Sequence, residues 1–378
     1  MSNLSSNTNS DLASNLNFDS AYSLQTQILR GEMTTQEILS FLTQLESNPL
    51  TKSTFLAILQ ASKDHQVTLP TYTNSLSCLD IVGTGGDSLD TFNISSISAL
   101  VCATVGISVA KHGNRSATSL CGSADFMEAV GYPLDFSPQQ SAQMLTKTNF
   151  AFLFAPIYNP AFRYVKEARK LYGKPSYFNL LGPLLNPANP QFLVMGVSNA
   201  VSCAIPDCFE ILSKQLSQTT RSWLVQSAEG MDEISTEQIT NVYQPFGQND
   251  AESRNQITQQ IGQIPVLQPK LNRLNHPKSY RKVTIDPNRY NLQYPLSDIQ
   301  TTGLEQNIII FNNILNNTAT PAQKSAVILN SAAGLTITNT TKTYKEAIVL
   351  AQELIESGQA KAKWQEILEE LNNIKNQY

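Results

Sequence analysis

Charge is what this 378-residue chain has little of: Asp, Glu, Lys and Arg together make up 15% of it. Asn, Gln, Ser and Thr occupy much of the polar remainder. Thirty acids against 26 bases leave a net charge of −4, so no basic excess marks nucleic acid as the main partner. No run reaches eighteen consecutive apolar residues, which excludes a membrane-spanning helix. The opening residues MSNLSSNTNSDLASNLNFDS have neither a basic stretch nor an apolar one, so no secretory signal is expected. The five cysteines, Cys78, Cys102, Cys121, Cys203 and Cys208, are odd in number and lack CxxC spacing. That pattern speaks against a disulfide framework or a zinc site and for free thiols in a reducing cytoplasm. The apolar fraction of 41% is ample for a packed core, and the length suits two domains or a large one with a smaller partner.

Residues 1–20 are Ser- and Asn-rich and too poor in apolar side chains to fold, which predicts a disordered tail. From Ala21 to Gln66 the pattern is helical. Thr34 and Glu37 form a capping box ahead of Ile38, Phe41, Leu42 and Leu45, and Phe55, Leu56, Ile58 and Leu59 mark a further amphipathic helix. A small helical domain over 21–75 is therefore expected, completed by helices near 160–190. The texture changes at Leu79. Leu79–Val82 reads as a buried strand, Gly83–Asp87 as a glycine loop, Ile94–Val105 as a helix and Ile107–Ala110 as a second strand. That is a βαβ unit, and it predicts an α/β domain over 76–378 with a mostly parallel sheet flanked by helices. The apolar runs Phe150–Phe154, Phe192–Val197, Trp223–Val225 and Ile308–Leu315 continue the alternation. A stretch rich in Gln, Asn and Pro at about 244–282 has weak periodicity and reads as an insertion.

Three segments carry chemistry. Gly83-Thr84-Gly85-Gly86-Asp87 lies between a strand and a helix, where backbone amides and a helix N-terminus can receive an anion. Its spacing is neither the dinucleotide fingerprint nor a Walker A loop. Asp87 would repel a bound phosphate unless it serves a metal, a sugar hydroxyl or a water. Asn93-Ile94-Ser95-Ser96 opens the helix, where such residues cap the backbone and can equally meet phosphate oxygens or a metal. Lys111–Asp125 then packs two cations, an imidazole, an amide and several hydroxyls into one loop, a composition suited to a polyphosphate. His112 there is open to a structural or a proton-transfer role. Asp232-Glu233, after the strand at Trp223–Val225, is a candidate Mg²⁺ site, since Mg²⁺ takes one or two carboxylates with waters and phosphates.

On these segments the sequence resembles the anthranilate phosphoribosyltransferase family: GTGGD at 83–87, Asn-Ile-Ser at 93–95, KHGNR at 111–115, GSAD at 122–125 and the Asp-Glu pair. Phe178–Pro183, Asn186-Pro187 and Asn330–Ala333 extend the likeness, which covers roughly residues 20–365 apart from the insertion. The resemblance implies a small helical domain beside an α/β domain, homodimers, and transfer of the phosphoribosyl group of phosphoribosyl pyrophosphate (PRPP) to the amine of anthranilate in tryptophan biosynthesis. It places Gly83, Gly86, Asp87, Thr91, Asn93, Ile94, Ser95, Ser96, Lys111, His112, Gly113, Asn114, Arg115, Ser119 and Ser123 around PRPP. It further implies Gly83, Asn114 and Arg169 at anthranilate, Ser95, Asp232 and Glu233 at Mg²⁺, and catalytic roles for Lys111, Asn114 and Arg169. Asn159, Pro175-Ser176, Gln226-Ser227 and Ser96 depart from the family's usual His, Arg-Thr, His-Gly and Thr. An aromatic amine is already a free base at neutral pH, so no strong general base is required, and no hydrolase triad or carboxylate dyad is evident. A different aromatic amine acceptor, phosphorolysis of a nucleoside and a non-enzymatic nucleic-acid-binding role remain as alternatives.

Overall fold

The computed structural model describes residues 12–13, 16–70, 77–116, 120–205, 207–216, 221–245 and 280–377. Most of the expected N-terminal tail and nearly all of the expected insertion lie outside these residues. Three helices open the chain: α1 (Phe18–Arg30), α2 (Thr35–Gln44) and α3 (Lys52–Asp64). The Thr34–Glu37 capping box starts α2 as its sequence predicts, and Gly31, with φ +72°, ends α1 in the left-handed conformation.

The βαβ unit follows as β1 (Cys78–Gly83), α4 (Ile94–Ala103) and β2 (Ser108–Gly113). Then come α5 (Ser123–Ala129), α6 (Pro138–Thr148), β3 (Phe150–Phe154), α7 (Ala155–Tyr158), α8 (Lys166–Tyr172), α9 (Tyr177–Leu184) and β4 (Phe192–Gly196). The succession continues through α10 (Asn199–Ala204), α11 (Cys208–Leu216), β5 (Arg221–Ser227), β6 (Thr240–Pro245) and β7 (Tyr280–Ile285). Helices Leu304–Leu315, Pro321–Ile337, Tyr344–Glu356 and Gln359–Lys375 complete the described chain. The strands form one sheet in the order β3-β2-β1-β4-β5-β6-β7, parallel through β5 and antiparallel for the last two. Strands covered on both faces read as continuous apolar runs, and Phe150–Phe154 shows this directly.

Two apolar clusters flank the sheet. One joins Leu79, Ile81 and Val109 to α4 and the C-terminal helices. The other joins α1–α3, α8 and α9 to Leu193, Met195 and Leu224 of the sheet. Ile308–Leu315, expected as a further strand, belongs to the helix Leu304–Leu315. Its buried residues Asn307, Ile310, Phe311, Ile314 and Leu315 recur at 3 and 4, a period that a short apolar run conceals.

Candidate active site

The C-terminal ends of β1, β2 and β5 bring the candidate residues together, the edge at which parallel α/β sheets bind ligands. Gly83 ends β1 against Asp232: a Cβ at residue 83 would lie 2.7 Å from Asp232 Cγ, so only glycine allows this approach. Beyond it the loop turns through Gly85 and Gly86 at φ +69° and +78°. Asp232 Oδ2 accepts from Gly85 N at 2.6 Å, and Ser198 Oγ donates to Gly85 O at 3.0 Å. Asn179 of α9 donates to Thr84 O at 3.3 Å, tying the loop to the helical layer.

Glu233 reaches the start of α4. Its Oε1 accepts from Ser95 N at 3.3 Å and its Oε2 from Thr91 Oγ1 at 3.3 Å. A carboxylate there complements the partial positive charge of the helix N-terminus. Asp87, Asp232 and Glu233 nevertheless repel one another. Burial first, then the Asp87 charge, pushes Asp232 up to about 7; burial and both neighbouring acids hold Glu233 well above the usual carboxylate range. Among the described residues no group of three or more His, Cys, Asp or Glu side chains forms a ready-made cage for a metal. Mg²⁺ does not require one, because substrate phosphates and waters complete its octahedron.

Asn93 is the N-cap of α4 but makes no capping bond with its side chain. Instead its N–H and Nδ2 both donate to Asn307 Oδ1, at 2.8 and 3.0 Å, and Nδ2 also meets Cys121 Sγ at 3.4 Å. Ile94 is fully buried, and Ser96 Oγ is buried without a hydrogen-bond partner among the described residues.

Lys111 is 2% exposed and donates to Ile81 O at 2.7 Å, turned into the protein from the loop it precedes. Burial lowers its pKa, while Asp80, Glu233 and Asp232 favour its charge. His112 meets Gly182 O through Nδ1 at 3.1 Å and Asn159 Nδ2 through Nε2 at 3.4 Å. With Nδ1–H donating, Nε2 accepts, and burial depresses the imidazole to about 4, so it is neutral at physiological pH. Asn114 is exposed and its Oδ1 accepts from Arg115 N at 2.8 Å. Gly113 approaches Phe152, and Ser123 Oγ reaches Asn114 O at 3.4 Å. Arg115 pairs with Asp125 and Glu128, each at 2.8 Å, and Ser119 lies outside the described residues. Arg169 is half-buried on α8 with its guanidinium 5.4 Å from the Phe178 ring, and burial lowers its pKa. Its guanidinium makes no hydrogen bond or ion pair among the described residues, which leaves its fork available to a carboxylate.

Several supporting residues escape a reading of motifs alone. Asp125 closes the loop after β2 by accepting from Ser116 N at 3.0 Å and Gly122 N at 3.2 Å. Asn330 grips the backbone next to the acid pair, accepting from Ile234 N and donating to Ile234 O, both at 2.9 Å. The GSAD and Asn-Ser-Ala-Ala patterns contain these two. Asn307 had no signal, because it precedes an apolar run that reads as a strand.

Residues 75–260 and 263–361 match the family described as "Glycosyl transferase family, a/b domain". An anthranilate phosphoribosyltransferase of Caldicellulosiruptor saccharolyticus is 34% identical over 93% of this chain and 94% of its own length. Another, from Methanobrevibacter smithii, is 33% identical over 95% and 96%. The solved anthranilate phosphoribosyltransferase of Thermus thermophilus superposes with a TM-score of 0.78 at 28% identity, over 96% of this chain and 97% of that one. The Saccharomyces cerevisiae protein, solved in complex with PRPP and Mg, shares the fold at a TM-score of 0.75 and 22% identity. Matched by the family model over most of its length and by full-length relatives at more than 30% identity, the chain belongs to the anthranilate phosphoribosyltransferase family within the glycosyl transferases.

Proposed function

We propose that this crevice performs the reaction of its family: it transfers the phosphoribosyl group of PRPP to the amine of anthranilate, releasing pyrophosphate. The observation that carries the reading is the packing of Asp87, Asp232 and Glu233 against a glycine loop and a helix start. Acids so placed repel a diphosphate unless a divalent cation stands between them. Asp232, Glu233 and Ser95 would hold Mg²⁺, and the ion, when bound, would neutralise charge developing on the leaving pyrophosphate. The chain's own contribution is orientation. The glycine loop and the first turn of α4 would fix the diphosphate, and Arg169 would take the anthranilate carboxylate.

The test is product formation from PRPP and anthranilate, run beside phosphorolysis of thymidine and a panel of other aromatic amines. Turnover confined to anthranilate supports the reading. Turnover with another amine alone, or with thymidine alone, contradicts it.

Mg²⁺ should stabilise the protein in a pH-dependent way. A carboxyl whose folded pKa is raised contributes most below its unfolded value, and that contribution is lost as pH rises toward the folded value, here up to about 7 for Asp232. Without divalent cation the melting temperature should therefore fall between pH 5 and pH 8. Mg²⁺ at about 100 times its Kd stabilises by roughly 2.7 kcal/mol, a shift of a few degrees at pH 8. The shift should nearly vanish at pH 5, where protonated acids compete. An equal shift at both pH values would count against the acid pair as the cation site.

We further propose a homodimer through the helical layer, where Phe18, Tyr164 and Leu171 are exposed at 44, 38 and 54%. Sedimentation should give twice the chain mass, and Leu171→Glu should return the monomer; a wild-type monomer at micromolar concentration contradicts the assignment. Five unpaired cysteines support placement in the cytoplasm. Among the described residues no helix is long and apolar enough to cross a membrane.

A further inference from the structure

The sheet beneath the crevice contains an acid to which the reading above gives no role. Asp80 lies in β1, between β2 and β4, and is fully buried. Its Oδ2 accepts from Asn186 Nδ2 at 2.8 Å, and the same amide donates to Ala110 O at 2.8 Å. Asn186 is fixed in turn, its Oδ1 accepting from Ala188 N at 2.9 Å. Among the described residues Asp80 Oδ1 has no hydrogen-bond partner. A buried carboxylate with an oxygen left unpaired is destabilising, and an apolar side chain would serve packing at least as well.

The cation that offsets it is Lys111, which donates to the carbonyl of Ile81, the residue following Asp80. Lys111 also lies in the field of Asp232 and Glu233, so two separate acid groups share one ammonium. These two groups differ in what happens to them during a reaction. Asp232 and Glu233 belong to the substrate crevice, and their surroundings change when a diphosphate and its cation arrive. Asp80, enclosed by the sheet and held by Asn186, keeps the same surroundings throughout.

We propose that Asp80 is a positioning residue for phosphoribosyl transfer: it is the dedicated partner that keeps the Lys111 ammonium charged and seated at Ile81 O whichever way the crevice is occupied. This inference rests on the reading of the crevice given above. Asp80→Asn keeps the shape and the acceptor for Asn186 but removes the charge. Lys111→Met removes the ammonium at similar volume.

The experiment compares full-length wild type, both single variants and the double variant, in steady-state turnover of PRPP and anthranilate and in thermal unfolding. Asp80→Asn should lower kcat by about tenfold or more, within the coupling range of interacting charges, and leave KM for anthranilate within about twofold. In the Lys111→Met background the same substitution should cause no further loss of kcat, and the double variant should melt no lower than Lys111→Met alone. Wild-type kcat in Asp80→Asn, or losses that multiply in the double variant, would overturn the proposal. If Asp80→Asn does not fold alone, the double variant against Lys111→Met still tests the second arm, and a further loss of kcat or a lower melting temperature there would overturn the proposal. If wild type shows no turnover, the functional reading fails, and non-additive melting temperatures still decide whether Asp80 and Lys111 act as a unit.

Discussion

Replacing Asp232 and Glu233 together by alanine is expected to lower kcat by on the order of 10³-fold while the protein stays folded. The two parts of that result have one cause. Asp232 is buried and Glu233 half-buried beside Asp87 and each other, and their pKa values stand above the ordinary range, so in the absence of a cation their ionised forms oppose the folded state. Removing them relieves this repulsion at pH 8, and the melting temperature there should hold or rise. Turnover should collapse, because electrostatic stabilisation of the leaving group is the main service such a site supplies, and losing a single donor to developing charge already costs about 10²–10³ in rate. A purely structural pair would give the reverse. It also binds Gly85 N, Thr91 Oγ1 and Ser95 N, so as a clasp its loss would lower the melting temperature and spare kcat at saturating substrate.

Lys111→Ala should also lower turnover by about 10²-fold or more, but with a loss of stability. Its ammonium is buried and is the charge that Asp80, Asp232 and Glu233 all see. Removing one partner from a buried charge group typically costs about 3–5 kcal/mol, since the acids left behind are uncompensated. Thermal unfolding and steady-state rates measured on the same preparation separate the two variants. An unchanged melting temperature together with full activity would show that Lys111 neither offsets the acids nor supports the reaction.

The contrast between these residues indicates what a sequence makes legible. The glycine loop, the start of α4 and the fold class could be read because local rules govern them: a strand interrupted by glycines, a helix opened by small polar residues, apolar runs in alternation. Asp232-Glu233 could be named but not weighted, since adjacent acids on a surface look the same; their energetics come from the contact with Gly83 and Gly85, some 150 residues away. Lys111 was legible as a cation beside a phosphate-type loop, yet its inward turn depends on β1 and β2 being neighbours. Asn93 shows the same limit. Its type suits a helix cap, but Asn307, 214 residues later, takes both its donors. Two of the departures from the family's usual residues are absorbed in a similar way. Asn159 stays within the His112 network, and Gln226 donates to Val197 O and Ser202 Oγ, so bonds across distant elements use these positions.

The central claim is that a cluster of carboxylates, with a bound cation, receives the diphosphate of PRPP at the edge of β1, β2 and β5. Titration calorimetry of PRPP into the full-length protein tests it most directly, with and without Mg²⁺, for wild type and for the Asp232→Ala/Glu233→Ala variant. One equivalent should bind wild type when Mg²⁺ is present, and binding should be lost on chelation and in the variant. Binding that persists unchanged through both, or no binding at millimolar Mg·PRPP, would contradict it.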